Sequence, residues 1–330
     1  MTLIASKLVK PRALRPGATL AVLSPASAAN RHLVEQGIEH LHNLGYHPRL
    51  GEHALDSGPL YNAGSALNRA EDLHAAFADP AVDGILCTRG GWGSAELLPL
   101  LDADLISRFP KVVVGYSDIT SLQIWLFEKT GLLTFYGPMV AADFARSEGV
   151  HLQSWQHCLH ESASWSLGVA DGLRTLRPGV AQGPLHGGCL SILAESLGTP
   201  YAPRPVQGVL FLEDIGTKPY QWDRMLVHLR HAGLLETATG IVFGDMAQCV
   251  GGPDRSVPGT DQSVAPDQMS LLEAALLHSL RDFPGPIAIG LRCGHVHGPN
   301  LTLPLGVDVR LDCGDPKRPG LHFLAGAVTL

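Results

Sequence analysis

Charge is scarce in this sequence of 330 residues, and its balance leans acidic: 24 Lys and Arg stand against 31 Asp and Glu, a formal net charge of -7. The basic residues fall singly or in small groups, so no segment offers the cation density that gripping a phosphate backbone needs. Nucleic acid is therefore excluded as a partner. Paired cysteines are also missing. Cys87, Cys158, Cys189, Cys249, Cys293 and Cys313 lie far apart with no CxxC, which fits neither a disulfide scaffold nor a zinc ribbon and reads as reduced, mostly buried thiols. Long hydrophobic runs are absent too: the apolar stretch before Lys7 is brief, and nothing later approaches a membrane span. A cytoplasmic protein without a membrane partner is expected. No internal repeat or low-complexity tract stands out.

What is present describes a packed globular chain. Hydrophobic residues make up 45% and charged residues 17%, with 37 glycines and 24 prolines to punctuate the elements. The length suits two domains of ordinary size. ATLAVLS (18–24) is an apolar run ended by Pro25, and 30–44 carries a helical pattern through Leu33, Ile38, Leu41 and Leu44. Ser65 can cap a helix through Leu67, Leu73 and Phe77, DGILC (83–87) is a buried strand, and KVVVG (111–115) is another that runs into an apolar helix. Strands alternating with helices predict an α/β fold with a parallel, helix-covered sheet, whose sites form beyond the carboxyl ends of its strands. Periodicity weakens over 137–185, where Trp155 and Trp165 read as exposed. A second unit follows, with a helix at 189–198, strands at 209–214 and 240–245, and a helix around 219–232. After the Pro- and Gly-rich 251–267 come the helix MSLLEAALLHSL and short β segments. The chain thus divides into 1–150, a linker or crossover over 151–185, and 186–330.

Two glycine- or serine-bearing turns sit at strand ends. In GYSDIT, Ser117 follows a strand directly, where a tight turn would project its hydroxyl from the sheet and let the Asp118 amide and the helix N-terminus meet an oxyanion. A plain helix cap explains the same residues, and Ile119 stands where a GxSxG elbow would have its second glycine. RGGWG (89–93) lets backbone approach a substrate, with Gly91 as a second amide donor, or is simply a turn; it is no phosphate-binding fingerprint. A serine hydroxyl needs a base, and the base an orienting acid. His295 and His297 lie in the glycine-flanked GHVHG after the apolar PIAIG, and Glu213 ends VLFLED, where a salt bridge or helix-dipole role is the alternative.

Taken in order, RPGATLAVLSPAS, LNRAEDLHAAFADPAVDGILCTRGGWGS, VVVGYSDIT, GGCLSILAESLGTP, VLFLEDIGTKPYQWDRML and GHVHGPNLTLPLG resemble the LD-carboxypeptidase family of serine peptidases, which includes microcin C self-immunity proteins. The likeness spans nearly the whole chain. It implies an N-terminal flavodoxin-like or Rossmann-like domain, a C-terminal mainly β domain with helices, a site between them and a homodimer. It also implies a triad of Ser117 as nucleophile, Glu213 as orienting acid and His295 as base, with the Gly91 and Asp118 amides as oxyanion hole and no metal or cofactor. Trp92 stands where the family often has tyrosine, and the stretch from His295 to Asn300 is about one residue long for the family, which keeps His297 open beside His295. The substrate implied is a cell-wall muropeptide that loses its terminal D-alanine at an L,D bond. A microcin-like aminoacyl-nucleotide conjugate, with an aromatic side chain stacked on the base, is the alternative; a non-catalytic binding module on the same scaffold is the third.

Overall fold

The computed structural model describes residues 8–58, 60–246, 249 and 268–330. The Pro- and Gly-rich stretch 251–267 expected from the sequence lies outside the described residues. The first half alternates as expected: β1 (Thr19–Leu23), α1 (Arg31–Asn43), β2 (His47–Leu50), α2 (Ala66–Ala78), β3 (Gly84–Cys87), α3 (Ala103–Arg108), β4 (Val112–Gly115), α4 (Thr120–Thr130) and β5 (Thr134–Tyr136). Side-chain caps start α1 and α2, since the Asn30 side-chain carbonyl accepts from the Leu33 N–H and Ser65 Oγ from the Asn68 N–H. Gly131, with φ 71°, ends α4.

The chain continues through α5 (Leu152–Leu159), β6 (Trp165–Leu167), β7 (Arg174–Arg177), β8 (Val180–Cys189), α6 (Leu190–Ser196), β9 (Val209–Glu213), α7 (Pro219–His231), α8 (Leu234–Thr237) and β10 (Gly240–Gly244). It finishes with α9 (Gln268–Ser279), β11 (Ile287–Leu291), β12 (Leu303–Leu305), β13 (Asp308–Asp312) and β14 (Gly320–Phe323). Two sheets result, ordered β12-β5-β4-β3-β1-β2 and β6-β14-β13-β8-β9-β10-β11-β7. Neighbours among β1 to β5 run parallel, and β12 joins them antiparallel through Leu303 opposite Tyr136. In the second sheet β8 to β11 run parallel, flanked by antiparallel strands.

Three findings depart from the sequence reading. Residues 151–185, read as a linker, hold α5 and supply both edge strands of the second sheet, β6 and β7. Short edge strands with half-exposed side chains carry little alternation, which is why no element is legible there. Trp155, read as exposed, is buried with its Nε1–H donating to Tyr46 Oη at 2.7 Å, and Trp165 stacks on Phe323 at 4.4 Å between ring centroids. Residues 303–305, grouped by sequence with the second unit, extend the first sheet instead.

Side-chain alternation along β9 ties the two halves together. Val209 and Phe211 enter the core shared with the first sheet, while Leu210 and Leu212 enter a second core with Trp222, Leu226 and Leu229 of α7. Burying each such side chain contributes roughly 1.5–3 kcal/mol. The alternation carries one step further: Glu213 follows Val209 and Phe211 on the face turned to the first sheet. No described helix is long and apolar enough to cross a membrane.

Candidate active site

The all-buried strand β4 ends at Gly115, and the chain turns sharply before α4 begins at Thr120. Ser117 sits in that turn at φ 65°, the one non-glycine residue with positive φ among the described residues. Such a conformation costs on the order of 1–3 kcal/mol and persists only where its surroundings hold it. They do so here by three bonds. The Ser117 N–H donates to Tyr136 Oη at 3.0 Å, the Ser94 N–H to Asp118 Oδ2 at 2.8 Å, and Ser94 Oγ to the Asp118 carbonyl at 2.6 Å. The Ser117 side chain makes no capping bond to the helix. Its Oγ lies instead 3.0 Å from His295 Nε2.

His295 belongs to the turn after β11, and a carboxylate from β9 fixes it twice. Glu213 Oε2 accepts from His295 Nδ1 at 2.8 Å and from the His295 backbone N–H at 3.1 Å. An ionised carboxylate only accepts, so the ring proton sits on Nδ1 and Nε2 presents a lone pair to the Ser117 hydroxyl. Glu213 is fully buried, and its other oxygen accepts from Tyr136 Oη. Burial disfavours the imidazolium, but the charge and hydrogen bond of Glu213 outweigh it, and the His295 pKa is raised above the ordinary value. Burial, reinforced by Glu213, lifts the Tyr136 phenol well above its ordinary value, so that it remains a donor.

The turn bearing His295 has its own supports. Gly294 has φ 99°, and a Cβ there would lie 2.3 Å from Glu213 Oε2, so only glycine lets the two segments meet. Buried Asn300 accepts from the Gly294 N–H and donates to the Gly294 carbonyl, both at 3.0 Å, and donates to Asp143 Oδ1 at 3.3 Å. Burial pushes the Asp143 carboxyl up to about 6. Arg146 pairs with Asp143 at 2.7 Å and donates to the Val296 and His297 carbonyls at 3.2 Å. His297 itself is exposed, so of the two histidines the fold brings His295 to Ser117.

Ser117 and His295 open on a cleft of about 270 Å³, lined also by Arg89, Gly90, Gly91, Tyr116 and Met139. A Cβ on Gly90 would stand 2.8 Å from Ser117 Cβ and 3.2 Å from the Asp118 backbone nitrogen, so this glycine lets the two turns touch. Gly91, with φ 104°, also lines the cleft, while the Asp118 side chain points inward to Ser94. Tyr136, Asn300, Gly90 and Ser94 escaped the sequence reading as site residues. Tyr136 carried one usable signal, its place at the end of the strand-like TFY beside β4. The six thiols are buried and their pKa values raised, chiefly by desolvation, which keeps them unreactive.

A strained serine at a strand-to-helix turn, bonded to a histidine held by a buried carboxylate, is the arrangement of a serine-type hydrolase. Residues 20–137 match the LD-carboxypeptidase N-terminal domain and 182–311 the LD-carboxypeptidase C-terminal domain. The chain belongs to the LD-carboxypeptidase family and is a serine-type peptidase. It is 31% identical to the murein tetrapeptide carboxypeptidase of Pseudomonas aeruginosa over 274 residues, which cover 79% of this chain and 86% of that one. It is 26% identical to the microcin C7 self-immunity protein of Escherichia coli over 328 residues, 88% of each chain. The crystal structure of a muramoyltetrapeptide carboxypeptidase from Oxalobacter formigenes superposes with a TM-score of 0.78 at 25% identity, over 95% of this chain and all of that one (100%).

Proposed function

We propose that this protein removes the terminal D-alanine from a cell-wall tetrapeptide by hydrolysing its L,D-amide bond, with Ser117, His295 and Glu213 as catalytic triad. The observation that carries the reading is the unbroken chain of hydrogen bonds from Glu213 through His295 to Ser117 Oγ, at 2.8 and 3.0 Å, ending in an open cleft. The names of the Pseudomonas and Oxalobacter relatives support the substrate class.

In this mechanism His295 Nε2 takes the Ser117 proton as Oγ attacks the scissile carbonyl, and Glu213 steadies the imidazolium that forms. The backbone amides of Gly91 and Asp118 receive the oxyanion, each such donor being worth roughly 10² to 10³ in rate. His295 then protonates the departing amine of D-alanine. Water, deprotonated by the same nitrogen, attacks the acyl-enzyme, and Ser117 regains its proton. The same reading has the protein working as a homodimer in the cytoplasm during wall-peptide recycling; light scattering on the purified protein tests the dimer.

A second reading, cleavage of an aminoacyl-nucleotide conjugate, draws on the self-immunity relative and on one position. Of Trp92, Trp155 and Trp165, only Trp92 is both exposed and next to a cleft residue, Gly91. The deciding experiment incubates the protein with an L,D-linked tetrapeptide and with an aminoacyl-sulfamoyl adenosine and follows both by mass spectrometry. Loss of one alanine from the tetrapeptide alone is the expected result; cleavage of the adenosine conjugate alone overturns it in favour of the second reading.

A further inference from the structure

A carboxypeptidase must distinguish the end of a chain from its interior, and the feature that does so is the terminal carboxylate. This requirement rests on the proposed function above. In an extended peptide consecutive Cα atoms are ~3.8 Å apart, so that carboxylate lies only about 4–5 Å beyond the scissile carbonyl. Whatever recognises it must therefore lie in the same cleft as the oxyanion donors, within a few ångströms of them.

Arg89 occupies that place. It lines the cleft beside Gly90 and Gly91, its side chain is exposed, and its guanidinium Nη2 comes within 3.5 Å of where a Cβ on Gly91 would stand. Apart from His295, no other titratable side chain of charge-bearing type faces the cleft, so its lining holds a cation and no acid. Buried Arg69, in contrast, is already taken, paired with Glu96 at 2.5 Å and donating to the Pro25 and Gly93 carbonyls at 2.8 Å. Arg89 makes no hydrogen bond or ion pair with any described residue. A guanidinium with its planar fork of donors free, at the mouth of a cleft whose lining holds no acid, matches the two oxygens of a carboxylate in geometry and in charge.

We infer that Arg89 binds the free C-terminal carboxylate of the substrate and so restricts this enzyme to cutting at chain ends. Because Arg89 belongs to the segment that supplies Gly91, seating the carboxylate also registers the scissile carbonyl over the oxyanion donors.

The test compares two tetrapeptides that differ only at the end, one with a free carboxylate and one with a carboxamide, hydrolysed by wild type, Arg89→Met and Arg89→Lys. Charge-assisted bonds of this kind predict that wild type favours the acid by roughly 10- to 100-fold in kcat/KM. That preference should collapse to within about threefold in Arg89→Met and return in part in Arg89→Lys, which keeps the charge without the fork. An acid-over-amide ratio in Arg89→Met equal to that of wild type overturns the inference, whether or not both rates fall. Hydrolysis of neither peptide by wild type overturns the proposed function and this inference with it, whereas hydrolysis of both without discrimination removes Arg89 alone.

Discussion

Ser117 and the Glu213–His295 pair reach the cleft from two sheets that hold their side chains by different means. The serine is placed by backbone: a turn at φ 65°, a close approach at Gly90, and amide hydrogen bonds from Ser117 to Tyr136 and from Ser94 to the neighbouring Asp118. The pair is placed by charge and hydrogen bonding, a fully buried carboxylate gripping an imidazole through two donors. The difference follows from what each group must do. A nucleophile needs an exact position and no charge, and strain in the main chain supplies that; an acid–base pair needs a tuned proton affinity, which only fields and desolvation supply. Tyr136 joins the two systems, accepting from the Ser117 amide and donating to Glu213.

Substitutions that respect one means of support and offend the other test this division. Glu213→Gln keeps the shape and removes the charge, and kcat should fall by roughly 10² to 10⁴, as expected when a triad carboxylate is lost. The pH profile of this variant gives an independent reading. The base acts only when neutral, and since the facing carboxylate raises the His295 pKa, the acid limb of kcat/KM should lie above 6.5 in wild type. In Glu213→Gln burial is opposed only by the fields of Asp214 and Asp143, so the limb should move to lower pH; a limb that stays put would detach Glu213 from the histidine. Gly90→Ala offends the backbone side alone, forcing a Cβ to within 2.8 Å of Ser117 Cβ, and should lower kcat by roughly 10- to 100-fold with the melting temperature little changed. Equal rates would show that the two turns have slack. Tyr136→Phe removes the one hydroxyl common to both supports, and a loss of about tenfold in kcat is expected, since Glu213 keeps its two bonds to His295 while the Ser117 N–H loses its bond to the phenol.

Much of the fold could be read from local pattern, because β1, β3, β4, β9 and β10 are continuous apolar runs and α1 and α2 carry side-chain caps. Ser117, Glu213 and His295 could be singled out because they stand at or shortly past the ends of the apolar strands β4, β9 and β11. What stayed illegible depends on distant partners. Nothing local marks Leu303–Leu305 as a strand of the first sheet, for the choice is made by pairing with β5 some 170 residues earlier. Trp155 is buried because Tyr46, 109 residues away, offers its hydroxyl to the indole. Tyr136 and Asn300 act on the site only through atoms brought to them by the fold, so their residue types alone carried no signal. In GHVHG the sequence favours His295 but leaves His297 open beside it, and the 3.0 Å from His295 Nε2 to Ser117 Oγ distinguishes them.

The central claim is that the hydroxyl on the strained turn does the cutting, and the most direct measurement is D-alanine release from an L,D-linked tetrapeptide by wild type and by Ser117→Ala under the same conditions. Wild type should release one D-alanine per peptide, and the variant should be slower by at least about 10³-fold while melting at the same temperature. Release by Ser117→Ala at the wild-type rate would contradict the account.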